Sequence, residues 1–375
     1  MSNHVTIKEP LVHLTKRAGI APAKAWAIRI AAFALGLGVC GLAAFLLIPS
    51  LNANPGRISE FYSCFINGSF STSRKIWKFL KSVAVLLSIS LAVTPAFRMR
   101  FWNIGAEGQT LVSVLGAIAV NFYLGGKVSE PLLLTLMLFA ALASGALWGL
   151  FPALCKAKWN TNETLFTLMM NYVATYLVSF CLIMWVPNGS SSLGKLKYGK
   201  LPKLDLPVIG HDYLLIVLVA VVMAVVLFIY LNYSKHGYEI SVVGESERTA
   251  KYVGIKVSTV IIRTMVLSGL LCGLTGYMIA AGLDQSVTTE SVGGQGFTAI
   301  MVSWLAKFNP LVMVLTSGLI VLLNQGAAQI SQNFDVSSAF PDVIVGIILF
   351  FIIGCEFFIN YELHFRKNQG AEAMK

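Results

Sequence analysis

Asn103, Glu107 and Gln109 lie close together in FWNIGAEGQTLVSV, Phe101–Val114, with Gly105 and Gly108 set among them. A carboxylate beside two carboxamides can hydrogen-bond a polar solute, hold an ion, or cap free backbone amides. The pattern returns later. Gly105-Ala-Glu-Gly108 and Gly293-Gly-Gln-Gly296 both read G-x-[E/Q]-G, and both precede an apolar run of helical character. Glycine lets the chain leave helical geometry, and backbone groups freed inside a bilayer must be buried in protein or face water. A carboxylate near the bilayer centre costs on the order of 3 kcal/mol, so Glu107 is expected to face protein or water rather than lipid. Two roles stay open for it: lining a path for a polar solute, or capping the amides of its own interrupted helix.

A second polar line runs through Glu163, Thr167 and Asn171 at four-residue steps, continued by Thr175. On a helix, Glu163 to Asn171 covers roughly 80° of the circumference, a narrow face. Hydrogen bonding between helices, about 1 kcal/mol or less per bond, is one reading; contact between Asn171 and a substrate is the other. Phe101, Trp102, Phe297 and Trp304 flank the two breaks and could stack on a base or simply pack.

The elements that must position these residues follow from composition. Of 375 residues, 56% are hydrophobic and 12% charged, which is the profile of an all-α polytopic membrane protein. The net charge of +11 fits cationic loops at the membrane and requires no nucleic acid. Six scattered cysteines form no disulfide framework, and five histidines show no metal spacing. The polar start MSNHVTIKEPLVHLTKRAG does not read as a cleaved leader. Ten spans are expected: Ile28–Ile48, Ser82–Phe97, Gly108–Leu124, Pro131–Cys155, Thr164–Val186, Tyr213–Tyr233, Val260–Gly282, Gly296–Ala306, Pro310–Gln329 and Ala339–Ile359. The eighth, at 1.5 Å per residue, reaches roughly 16 Å, about half a bilayer. It reads as a half-helix.

With ten passes, residues 1–27 form a cytoplasmic extension, 28–362 the membrane domain and 363–375 a cytoplasmic tail. Lys16, Arg17, Lys24, Arg366 and Lys367 then lie inside, and residues 187–211 form an outer loop. The third span is entered from the cytoplasm and the eighth from outside. Spans two to five and seven to ten thereby form an inverted repeat with broken helices at spans three and eight. Gly36, Gly38 and Gly41, the pair Gly145 and Gly149, and the series Gly269, Gly273 and Gly276 read as close-packing positions. The inner loop 234–258 contains two expected helical turns, Glu245–Tyr252, bounded by Gly244 and Gly254, with Glu247 and Lys251 at i,i+4. So short a helix needs something to dock against.

NIGAEGQ, Asn103–Gln109, resembles the signature of ABC-type permeases that import nucleosides and simple sugars. GYEISVVGESERTAKYVGI at Gly237–Ile255 is similar to the coupling segment of that family. GLLCGLTG at Gly269–Gly276 and GGQGFTAIMVSWLAKFNPL at Gly293–Leu311 follow in the same order. The resemblance runs from about Pro49 to Ile359 and implies a pore shared by two permease subunits, here a heterodimer with a paralogue. It further implies cytoplasmic ATPase subunits that hold ATP and Mg, with no cofactor on this chain, and an external solute-binding lipoprotein. Coupling would fall to Gly244, Glu245, Ser246, Glu247, Arg248, Ala250, Tyr252 and Gly254. The substrate pathway would use Phe101, Asn103, Glu107, Gln109, Asn171, Gln295, Thr298 and Trp304. The location implied is the bacterial cell membrane, with nucleosides as first substrate class and simple sugars second. The chain itself carries no G-x-x-x-x-G-K-[ST] motif, so an ATP-driven reading needs a separate motor, and the chain is expected to be no enzyme. An ion-coupled transporter would suit the broken helices but has no use for a docking helix at Glu245–Tyr252. An enzyme acting on lipid-linked substrates would need a catalytic constellation that Glu107 and Glu163 alone do not supply.

Overall fold

The computed structural model describes residues 12–17, 20–186, 192–202, 204–205, 210–337 and 339–365. The expectations for residues 1–11, for Arg366, Lys367 and the rest of 366–375, and for parts of the loop 187–211 fall outside these residues.

The chain opens with β1 (Val12–Lys16), α1 (Pro22–Leu47), α2 (Pro49–Ala53), a 3-10 turn and α3 (Ile58–Phe70). It continues with α4 (Ser73–Arg98), α5 (Ala106–Leu124), α6 (Glu130–Trp159) and α7 (Glu163–Trp185). After the short strands β2 (Leu204–Asp205) and β3 (Gly210–His211) come α8 (Leu214–Tyr233), α9 (Lys235–Glu245) and α10 (Glu247–Tyr252). The last elements are α11 (Val257–Tyr277) with a π-helical extension over Met278–Asp284, α12 (Gln295–Leu305), α13 (Pro310–Phe334), α14 (Phe340–Asn360) and β4 (Tyr361–Phe365).

Eight of these helices are long and apolar enough to cross a membrane: α1, α4, α6, α7, α8, α11 with its extension, α13 and α14. The two expected spans missing from that set are those with the glycine breaks, α5 and α12. α5 loses apolar character to Glu107, Gln109 and Asn121, and α12 has only 11 residues. Several boundaries differ from the sequence reading. α4 starts at Ser73, not Ser82, through a stretch that carries Arg74, Lys75, Lys78 and Lys81; long cationic side chains can carry their charge beyond the apolar zone while the backbone stays helical. The stretch after the first span, to which the sequence reading assigns no element, is helical in α2 and α3. α13 continues to Phe334. The class is helical but not purely so, since β1 pairs antiparallel with β4 and β2 with β3.

The chain divides into two compact units. The smaller comprises residues 1–68 and 323–375. In it Arg29 forks onto Glu356 Oε1 at 2.9 and 2.6 Å, tying α1 to α14, and Ala25, Ala32, Cys355 and Ile359 form an apolar cluster beside that pair. The larger unit, Ser69–Leu322, holds both breaks. Its centre is the contact of α6 with α11. A Cβ on Gly149 would lie 2.7 Å from the Met265 oxygen, one on Gly273 2.7 Å from the Ala141 oxygen, and one on Gly145 would run into Gly269. The two backbones therefore touch through the small-residue faces that the sequence marks. Gly38 has nothing near it, so that position is no packing device.

Candidate functional site

α4 ends in a motif with Arg100 left-handed at φ 59°, where glycine is the usual residue. The Arg100 amide donates to Phe97 and the Phe101 amide to Ala96, which closes the helix. Residues 101–104 are then non-helical, and α5 starts at Ala106. Freed backbone groups at membrane depth need partners, and α7 supplies them. The Ile104 amide donates to Thr167 Oγ1 at 3.1 Å, and Asn171 Nδ2 donates to the Ile104 carbonyl at 2.9 Å. Asn171 Oδ1 accepts the Gly108 amide at 2.9 Å. Side chains within the break close the rest. Asn103 Oδ1 accepts the Gly105 amide at 3.0 Å, while its Nδ2 donates to Ser268 Oγ at 3.2 Å and to Gln109 Oε1 at 3.4 Å. Cys272 Sγ also donates to Gln109 Oε1, so α11 holds the break through two residues one helical turn apart.

The second break follows α11. The chain passes through Gln285 at φ 51° and through Gly293 and Gly294 at φ 62° and 75°, values that favour glycine, and α12 starts at Gln295. Here the two breaks meet. Glu107 Oε1 accepts the Gly294 amide at 2.8 Å and Oε2 accepts the Gly296 amide at 2.6 Å. A Cβ on Gly296 would sit 2.5 Å from the Glu107 nitrogen, so the first turns of α5 and α12 touch backbone to backbone. A helix start carries partial positive charge and free amides; Asn103 and Asn171 answer those of α5, and the Glu107 carboxylate answers those of α12. Glu107 caps the amides of the opposite break, not those of its own helix.

α12 leads from this junction back to the end of α4. Trp304 packs on Trp102 with centroids 5.3 Å apart, Phe308 stacks on Phe97, and Ser303 Oγ donates to the Ser90 carbonyl at 3.0 Å. α5 leads the other way, to Leu124.

The expected pathway residues therefore fall into two sets. Phe101, Asn103, Gln109 and Asn171 are buried, and the three carboxamides are engaged in the bonds above. Glu107, Gln295 and Thr298 are half-buried at the junction, while Trp102, Phe297 and Trp304 are between 43% and 49% exposed. Gln295 Oε1 is buried and has no hydrogen-bond partner among the described residues. Sequence reading missed Ser268 and Cys272 as partners of the break. The only signal was a serine and a cysteine one turn apart in an apolar run.

The segment between α8 and α11 is two helices, not one. Ser234 Oγ accepts the Gly237 amide at 3.0 Å to start α9, and Ser246 Oγ accepts the Thr249 amide at 3.2 Å to start α10. Gly244 and Glu245, expected to open the short helix, instead end α9. A Cβ on Gly244 would collide with the Arg98 carbonyl, which seats α9 on the end of α4. Glu239 accepts from Arg263 at 2.8 Å and fixes α9 to α11; that hydrogen bond is the main reason its carboxyl is held below its ordinary pKa. Ala250 is buried, whereas Glu245, Glu247, Arg248, Lys251, Tyr252 and Gly254 are exposed, Tyr252 to 92%. α10 thus rests on Ala250 and presents its other faces outward. Glu163 pairs with Lys156 at 2.9 Å at the foot of α7.

The chain is 28% identical to the guanosine ABC transporter permease protein NupP of Bacillus subtilis, over 89% of this chain and 95% of that protein. It is 27% identical to the glucose ABC transporter permease protein TsgB13 of Haloferax volcanii, over 84% of each. To the nucleoside ABC transporter permease protein NupB of Lactococcus lactis it is 23% identical, over 78% of this chain and 82% of that one. Residues 76–353, which contain both breaks and the α9–α10 segment, match the family described as branched-chain amino acid transport system / permease component, and the chain belongs to that family of membrane transport subunits.

Proposed function

We propose that the chain is a permease subunit of an ATP-driven importer and that it carries nucleosides into the bacterial cell across the cell membrane. The observation that carries this reading is the junction at Glu107. Two interrupted helices meet start to start on one carboxylate. At the start of α12 the Gln295 oxygen has no partner among the described residues, and the rings of Trp102, Phe297 and Trp304 are exposed. A carboxamide oxygen without a donor suits a hydroxyl or N–H of a solute, and exposed aromatic rings suit the flat face of a base. The relatives NupP and NupB are named for guanosine and nucleosides, and they favour this class. TsgB13, named for glucose, supports a simple sugar as the second reading. In either case Asn103, Gln109 and Asn171 serve as the frame that holds the break in shape, and the solute meets Glu107, Gln295, Thr298 and Trp304.

The motor is separate. The exposed surface from Glu245 at the end of α9 through Tyr252 of α10, with Gly254 behind it, is the docking surface for an ATPase subunit that binds ATP and Mg. That puts α9, α10 and both termini in the cytoplasm. A paralogous second permease completes the pathway on the open side of α12, and an external lipoprotein delivers the solute. The test is reconstitution of the chain with its ATPase, second permease and lipoprotein in proteoliposomes. Labelled guanosine should accumulate only with ATP, and unlabelled nucleosides should compete where glucose does not. Competition by glucose alone moves the substrate to sugars. Accumulation driven by a proton or sodium gradient without ATP rejects the importer reading.

A further inference from the structure

α7 joins the two places that an ATP-driven permease must connect. Its polar residues fall on one side, and most of the remainder of the helix is apolar surface; Leu165, Met169, Tyr172, Val173 and Tyr176 are all more than half exposed. At its foot Glu163 pairs with Lys156, and both lie on a cavity of about 50 Å³ together with Arg100 and with Glu247 of α10. Met99 and Val243 close the same cavity, so the end of α4, the foot of α7 and the α9–α10 segment share one small polar space. One and two turns higher, Thr167 and Asn171 hold the backbone at Ile104 and Gly108, immediately on either side of Gly105–Glu107. Every polar contact that α7 makes with the break goes to main-chain atoms or their neighbours, which is how a rigid element grips a segment without depending on its side chains.

We infer that α7 is the lever that carries movement of the α9–α10 segment to the first break. Displacement of Glu247 alters the charge balance around Arg100 and the Lys156–Glu163 pair. α7 then shifts as a rigid rod, and Thr167 and Asn171 draw the Ile104–Gly108 backbone with it. Glu107 follows, and its two bonds to the start of α12 loosen or tighten, which changes the junction open to solute. Thr167, Asn171, Lys156 and Glu163 are positioning residues in this scheme, since none of them needs to touch the solute. The inference rests on the ATP-driven permease reading above.

The test uses the reconstituted complex and reads solute taken up per ATP hydrolysed. Wild type reports first: if its uptake ignores ATP, the importer reading has failed and the lever falls with it. If wild type is coupled, Thr167→Val keeps the side-chain shape but removes the acceptor for the Ile104 amide. It should lower uptake per ATP about tenfold while ATP hydrolysis stays within about twofold. Thr167→Ser keeps the hydroxyl and should stay near wild type. Lys156→Glu and Glu163→Lys should each uncouple in the same way, and the double exchange should restore uptake per ATP. Full coupling in Thr167→Val and both single reversals overturns the lever. So does a double exchange that leaves the single-variant defect in place, or a Thr167→Val that loses assembly while the reversals stay coupled, because α7 would then only support the fold.

Discussion

Glu107 shows what a single residue type can and cannot declare. A carboxylate between two glycines at the start of an apolar run announces an interrupted helix that needs capping. Nothing local says whose amides it caps, and the answer lies 187 and 189 residues away, at Gly294 and Gly296. Bonds from backbone amides to a charged acceptor contribute about 1.5–3 kcal/mol each, and Glu107 accepts two of them. Glu107→Gln retains the shape but turns an NH₂ group toward one of the amides and removes the charge that faces the start of α12. Uptake by this variant should fall by about one to two orders of magnitude at normal membrane level, measured with labelled nucleoside in cells or proteoliposomes. Wild-type uptake in Glu107→Gln would show that the junction does not depend on the staple. The same reasoning explains why the sequence left two readings open for Gln109 and Asn171, solute contact and structural hydrogen bonding, and did not choose between them. Carboxamides that bind a solute and carboxamides that satisfy backbone look alike in a sequence, and only the partners tell them apart.

At the scale of elements, hydropathy and small-residue spacing were readable because they are local and periodic. The eight long spans follow from apolar length, and the close-packing role of Gly145, Gly149, Gly269 and Gly273 from their four-residue spacing, but not which helices they join. Elements whose ends depend on a cap or on charge were misplaced. Ser246 divides α9 from α10 by accepting the Thr249 amide, a role that a serine between two glutamates does not advertise. The early start of α4 depends on where its cations lie relative to lipid, which composition alone does not give. The α6–α11 contact yields a sharp comparison between two identical exchanges. Gly269→Ala would push a methyl onto the Gly145 backbone, with the Ala146 Cα at 2.9 Å, and should cost about 1–3 kcal/mol. Gly318→Ala, in α13 with nothing within 4 Å, should be neutral or stabilise by up to about 1 kcal/mol through helix propensity alone. Thermal unfolding of the purified chain in detergent checks both. Equal melting temperatures for the two variants would mean that the α6–α11 backbones are not in contact.

At the scale of the whole molecule, a permease subunit is defined as much by what it leaves exposed as by what it buries. The family match covers both breaks and the α9–α10 segment, so all three lie within the conserved extent of the family's description. The surface that α10 leaves exposed is small. Ala250 is fully buried beneath α10, while Tyr252 is 92% and Val253 60% exposed. A tyrosine so exposed at the tip of a short, well-seated helix contributes little to this chain's own stability, yet aromatic anchors carry a large share of the energy in interfaces, commonly about 2 kcal/mol or more each. Tyr252→Ala should therefore leave membrane insertion and melting temperature unchanged and weaken binding of the ATPase by about thirtyfold. Glu245→Lys, also exposed at the end of α9, should shift the salt dependence of that binding and not the fold. Copurification with the tagged ATPase, followed by titration of the purified subunits, measures both effects. Should Tyr252→Ala and Glu245→Lys bind the ATPase as wild type does, its docking surface lies elsewhere on the chain, and the polar cavity at Glu247 cannot be the point at which force enters α7.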